Sequence, residues 1–126
     1  MPSIDIKTLK LDKQIKDSIA KAVYQETKKV IKIPSIEIYF NEYDSFYANG
    51  KPTEQNFITI SFDGPIIPQE MITELCRVTH EAVKSIIDNC SNINFVYHVN
   101  GHSNVGHGGK LLAELFHTRN KKLIDE

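Results

Sequence analysis

Pro2, directly behind Met1, opens a run Ser3-Ile4-Asp5-Ile6-Lys7-Thr8-Leu9 in which apolar and polar residues alternate. With Met1 removed, which a small second residue permits, the chain begins with a secondary amine, and proline is the only residue that supplies one. An α-amino group titrates at ~7.7–8.0, and an apolar or cationic surrounding disfavours its protonated form and lowers that value. The product is a general base poised at working pH on a rigid element. A retained Met1 would cap the nitrogen as an amide and abolish the chemistry. Pro2 read alone is equally a common second residue without a role, so the rest of the chain has to decide.

The other reactive side chains form weaker patterns. His98, His102 and His107 fall within ten positions, but spacings of four and five fit no zinc motif, and a metal needs converging imidazoles held by further partners. They are read as solvated or packing residues, His80 as boundary packing beside a helix stripe, and no metal or cofactor is expected. Gly106-x-Gly108-Gly109-Lys110 lacks the spacing and the Ser/Thr of a phosphate loop. Cys76 and Cys90, 13 residues apart as counted between them and outside any CxxC motif, are read as free thiols in a reducing compartment. The chain has 126 residues, 15 basic against 16 acidic, a net charge of −1 and only two arginines, Arg77 and Arg119. That balance offers no field for nucleic acid or membrane. No signal peptide or membrane-length apolar run is present, and a cytoplasmic location is the expectation.

The elements that must carry these residues repeat. A strand over 3–9 precedes a helix capped by Asp12, with Ile15, Ile19, Ala22, Val23 and Val30 at helical spacing, and Ile33-Pro34 ends it. A second strand holds Ile36, Ile38 and Phe40, and residues 41–52, with Asn49-Gly50, read as a loop or hairpin. The order then recurs: a strand over 57–62, a helix from Pro68 to about Asp88, a strand over 93–98 and a glycine-rich stretch over 101–109. The offsets are 54 for Ile4 and Ile58, 56 for Asp12 and Pro68, and 59 for Ile36 and Phe95. The spacing predicts one α+β domain over 1–126, made of two pseudo-repeated β-α-β units at 2–52 and 56–110, each with a trailing hairpin, and an extension at 111–126. Within each unit the strands should run parallel around a right-handed crossover. One face of the four-stranded sheet is apolar and suits two helices. The other carries Ser3, Asp5, Lys7, Glu37, Tyr39, Thr59, Ser61, Asn94 and His98, and meets water or the interior of a symmetric assembly.

A strand behind Pro2, two β-α-β units and the segment Asn104-Val105-Gly106-His107-Gly108-Gly109 together resemble the tautomerase superfamily, which includes 4-oxalocrotonate tautomerase, macrophage migration inhibitory factor and malonate semialdehyde decarboxylase. Pro2-Ser3-Ile4-Asp5-Ile6 and Pro34-Ser35-Ile36-Glu37-Ile38 carry the rest of the likeness, which spans roughly residues 2–110. The resemblance implies a mixed four-stranded sheet with two helices on one face, a homotrimer with sites between subunits, and Pro2 as catalytic base. It further implies a substrate-binding set of Lys32, Lys10, Glu37 and Tyr39. Lys32 stands near the position of a site lysine in the cytokine, and Glu37 stands where the dicarboxylate enzymes carry an arginine or their relatives a water-activating acid. Lys10 and Lys13 replace arginines of the first loop and offer a point charge without a bidentate fork.

Three functions follow as alternatives. The first is a proline-based tautomerase, or a related decarboxylase or hydratase, acting on an enolisable 2-oxo or β-keto acid. The second is a catalytically silent tautomerase fold used as a binding or interaction module. The third is a ligand-binding protein of unrelated chemistry. The expected partners are a small carbonyl acid and two further copies of the chain.

Overall fold

The computed structural model describes residues 2–90, 92–101 and 103–115. Its elements follow the order β1 (Ser3–Leu9), α1 (Lys13–Val30), β2 (Glu37–Tyr43), β3 (Phe46–Ala48), β4 (Lys51–Thr53), β5 (Phe57–Gly64), α2 (Gln69–Lys84), β6 (Asn92–Val99), β7 (Gly106–His107) and β8 (Lys110–Leu111). The main sheet has the order β2-β1-β5-β6. β1 pairs with β2 in parallel, β5 pairs with β6 in parallel, and β1 meets β5 antiparallel at the centre. The fold is α+β with a mixed four-stranded sheet, as the repeat in the sequence predicts.

Alternation decides which face is covered. Ile4, Ile6, Ile58, Ile60 and Phe62 are fully buried under the helix residues Ile19, Val23, Leu75 and Val83. The register places the residues between them in rows on the opposite face. Glu37, Ser3, Asp63 and His98 form one row, and Tyr39, Asp5, Ser61 and Val96 the next. Among the described residues no helix lies on this face, and Tyr39 on it is 55% exposed.

Each unit ends in a separate two-residue hairpin. Ala48 pairs with Lys51 around Asn49-Gly50, and His107 pairs with Lys110 around Gly108-Gly109. All four turn residues have φ between 55° and 83°, as a turn matched to strand twist requires. Phe46 anchors the first hairpin by stacking on Phe57 at 4.5 Å between ring centres.

Several boundaries differ from the sequence reading. β2 runs on through Asn41, Glu42 and Tyr43, because these pair with Lys7, Thr8 and Leu9. α2 stops at Lys84, whose ammonium reaches the Asp88 and Cys90 carbonyls at 2.7 and 2.9 Å and closes a turn there. Asp12 stands at the N-cap of α1 without a side-chain capping bond. Cys76 and His80 are exposed on α2, while Cys90 is buried. Of the extension, Leu112–Leu115 form a helical turn, and Phe116 lies outside the described residues.

Glu42 joins the end of β2 to the start of α1. It accepts the Leu11 N–H at 2.7 Å and the Lys16 ammonium at 3.1 Å. The Leu11 bond first, and then Lys16, hold its carboxyl below the usual 4.5. The depressed folded-state value means that this contribution is complete above about pH 4.5 and disappears as pH falls through the lower folded value. Glu42→Gln should therefore lower the melting temperature near pH 7, with the difference from the parent shrinking as pH falls below about 4.5.

Candidate functional site

Pro2 is buried at the mouth of β1. Ser3 pairs with Glu37 on one side and Asp63 on the other, so one step earlier Pro2 lies between Ile36 and Gly64. Its carbonyl accepts the Glu37 N–H at 3.5 Å. Gly64 in turn pairs with Val99. One end of the sheet thus reads Ile36, Pro2, Gly64 and Val99 across its four strands. Strand parity puts Pro2 on the side of Ile4, toward the helices. α1 ends and α2 begins at this same end of the sheet, since each crossover reverses the chain direction.

Tyr97 lies on this end as well. Its hydroxyl donates to the Pro65 carbonyl at 2.6 Å, and its ring stacks on Phe62 at 5.3 Å. A Cβ on Gly64 would sit 2.6 Å from that hydroxyl oxygen, so the residue opposite Pro2 is glycine for reasons of space. Burial pushes the Tyr97 phenol above its ordinary value, which keeps it neutral and protonated at working pH.

The internal repeat supports this placement. β1 and β5 begin at residues 3 and 57, so the second unit's counterpart of Pro2 is Asn56. Asn56 Oδ1 accepts the Leu9 N–H at 3.1 Å, and its Nδ2 donates to the Thr8 hydroxyl at 3.0 Å. Tyr43 stands beside it, donating to the Phe57 carbonyl. Tyr43 is to Asn56 as Tyr97 is to Pro2, one tyrosine tied to a β5-end carbonyl at each end of the sheet.

The remaining sequence candidates divide. Glu37 is drawn next to Pro2 through its backbone, while its side chain joins the open face and accepts the Tyr39 hydroxyl at 2.7 Å. That bond, and then the carboxylate charge, raise the Tyr39 phenol. Lys32 is exposed in the link between α1 and β2, at the Pro2 end, and has no ion-pair partner among the described residues. Lys10 stands at the opposite end of β1, roughly 25 Å of extended chain from Pro2. Its charge instead helps hold Glu42 low. Within one chain Lys10 does not converge with Pro2, and it could reach such a site only from a neighbouring copy.

His98 and His107 are exposed, and His102 lies outside the described residues. Among the described residues no three His, Cys, Asp or Glu side chains converge as metal ligands. No described helix is long and apolar enough to cross a membrane. Arg77 on α2 is bound by both Glu74 and Glu81. Tyr97 and Gly64 were not singled out in the sequence. The available signal was a tyrosine on the apolar stripe of its strand, followed in space by a strand-ending Gly-Pro.

No protein-family model and no curated protein sequence matches the chain. Solved structures do. Pt0534 inactivated by 2-oxo-3-pentynoate superposes with a TM-score of 0.80 at 13% identity, over 90% of this chain and 98% of that one. Native fused 4-OT superposes at 0.76 with 16% identity, over 90% and 98%. Macrophage migration inhibitory factor of Toxoplasma gondii superposes at 0.72 with 10% identity, over 86% and 98%. The chain has the fold of these proteins.

Proposed function

From the fold shared with 4-OT and the migration inhibitory factors, we propose that this chain is a tautomerase whose N-terminal Pro2 amine, freed by removal of Met1, moves a proton on an enolisable 2-oxo or β-keto acid. The observation that carries the reading is a buried Pro2 at the end of the central strand, facing Gly64, with the Tyr97 phenol over that glycine. Burial disfavours the ammonium form and favours the free base near neutral pH. The amine takes the enol proton of the bound acid, and the resulting ammonium returns a proton to the conjugated carbon. Lys32 supplies the cation that meets the carboxylate or the developing enolate. Glu37, oriented by Tyr39, is the group that would activate water if the chemistry runs to hydration or decarboxylation.

The working unit in this reading is a homotrimer. Fused 4-OT forms symmetric and asymmetric trimers. The uncovered polar sheet face, the edges of β2 and β6 and the two projecting hairpins support the same arrangement here. A sedimentation run with only monomer at micromolar concentration would exclude it. A cytoplasmic location fits the two free thiols.

The direct test uses 2-oxo-3-pentynoate, the compound that inactivated Pt0534. A free Pro2 amine adds to its alkyne: a C–N bond forms, an alkyne π bond breaks, and the ammonium proton passes to carbon. One adduct per chain is expected on the Pro2 peptide, with parallel loss of phenylenolpyruvate ketonisation. Met1-free protein that is neither labelled nor active would be the silent fold instead.

A further inference from the structure

Helix α2 carries two metal-ligating side chains that the chemistry at Pro2 does not use. Its buried stripe, Leu75, Val78, Thr79, Ala82 and Val83, turns Cys76 and His80 outward, and both are exposed. They stand four residues apart within one helix, Gln69–Lys84, and so lie one above the other on the same flank. Side chains at that spacing have Cβ atoms about 5–6 Å apart. An ion about 2.3 Å from a thiolate sulfur and about 2.0–2.1 Å from an imidazole nitrogen spans such a gap. The same helical spacing lets the paired histidines of an H-E-x-x-H helix hold zinc. A thiolate with an imidazole is a donor set that suits zinc rather than magnesium or calcium.

The neighbours leave this pair open. Neither side chain has a hydrogen-bond or ion-pair partner among the described residues. Lys84, one turn beyond His80, directs its ammonium to the Asp88 and Cys90 carbonyls. Arg77 is held by Glu74 and Glu81, two carboxylates against one guanidinium. An arriving cation therefore meets no uncompensated positive charge from Arg77. We propose that Cys76 and His80 are a zinc-binding pair on the outer flank of α2. Binding forms one Zn–S and one Zn–N bond, and the thiol proton passes to water. The imidazole ligates in its neutral form. The remaining tetrahedral positions hold water or the same pair from a second copy, which would complete a set of two cysteines and two histidines about a two-fold axis. Cys90 is buried and takes no part.

The experiment titrates the full chain, reduced and freed of metal, with Zn²⁺ by calorimetry and with Co²⁺ by absorption. Saturation at one ion per chain upholds the pair with water completing the shell. Saturation at one ion per two chains, with a doubled mass in sedimentation, upholds it with a second copy. Co²⁺ should develop a thiolate-to-metal charge-transfer band. Cys76→Ser should abolish that band although Cys90 remains. Cys76→Ser and His80→Gln should each weaken Zn²⁺ binding by at least the about 10- to 100-fold that loss of an outer partner costs a metal site. Cys76→His keeps two ligands at the same spacing, and should retain Zn²⁺ binding while losing the band. Because both residues are exposed, the metal-free variants should melt with the parent. Absence of Zn²⁺ binding in the parent, or undiminished binding in Cys76→Ser or His80→Gln, overturns the proposal.

Discussion

Inserting one alanine between Met1 and Pro2 should reduce ketonisation of phenylenolpyruvate by about 100- to 10,000-fold, the usual range for a positioned acid–base group. The insertion converts the Pro2 nitrogen into an amide and removes its lone pair from acid–base chemistry, whichever residue the trimmed chain then begins with. It adds a residue ahead of β1, whose ladder begins at Ser3, and so leaves the pairing of Ser3 with Glu37 and Asp63 in place. An unchanged melting temperature and sedimentation coefficient would show that the fold and assembly survive. The displaced α-amino group stays ionisable but sits a full residue away from Gly64 and Tyr97. Pro2→Ala is the weaker probe, because a primary amine remains in place. If the extended protein keeps the parent's rate, the proline mechanism is wrong.

The largest structural effect should come from Phe62→Ala. Phe62 is fully buried in the central strand β5, with Ile4 as its cross-strand partner. Truncating a buried phenylalanine costs about 3–5 kcal/mol in lost transfer and residual cavity. A domain of this size moves by ~3–5 °C per kcal/mol, so the melting temperature should fall by ~10–25 °C. The site should suffer beyond that loss, since Tyr97 stacks on Phe62 and loses the wall that fixes its ring. Calorimetry gives the first effect. Activity measured well below the variant's melting point gives the second. A fall under 3 °C would mean that β5 is not the centre of the core.

What the sequence disclosed and what it withheld divide along a physical line. Strand faces come from strict alternation, and Ile4, Ile6, Ile58 and Ile60 are all at zero exposure as that alternation requires. The two hairpins come from turn chemistry, since Asn-Gly and Gly-Gly admit the positive φ that their turns adopt. The end of β2 was hidden because Asn41 and Glu42 are polar, and only the pairing with β1 keeps them extended. The end of α2 was hidden because Ile86 and Ile87 prolong its apolar stripe, while Lys84 closes the chain onto the Asp88 and Cys90 carbonyls. For the site, Pro2 is legible as an intrinsic chemical peculiarity. Tyr97 and Gly64 acquire meaning only when β5 and β6 lie side by side. Lys10, close to Pro2 in number, is far from it in space, because an extended strand separates them.

The internal repeat gives the sheet two ends of one pattern and different occupations. Asn56 occupies the place of Pro2, and its amide is spent on Thr8 and Leu9, clamping the exit of β1 to the entrance of β5. Its nitrogen lies in the middle of the chain, so no trimming of a terminus could ever make it basic. In the proposed trimer there would be six similar corners, three that react at Pro2 and three that brace. Inactivator should saturate at three equivalents per assembly. The bracing corners are free of the demand for an open mouth, which leaves them to hold the strands in register while the reactive corners change to suit a substrate.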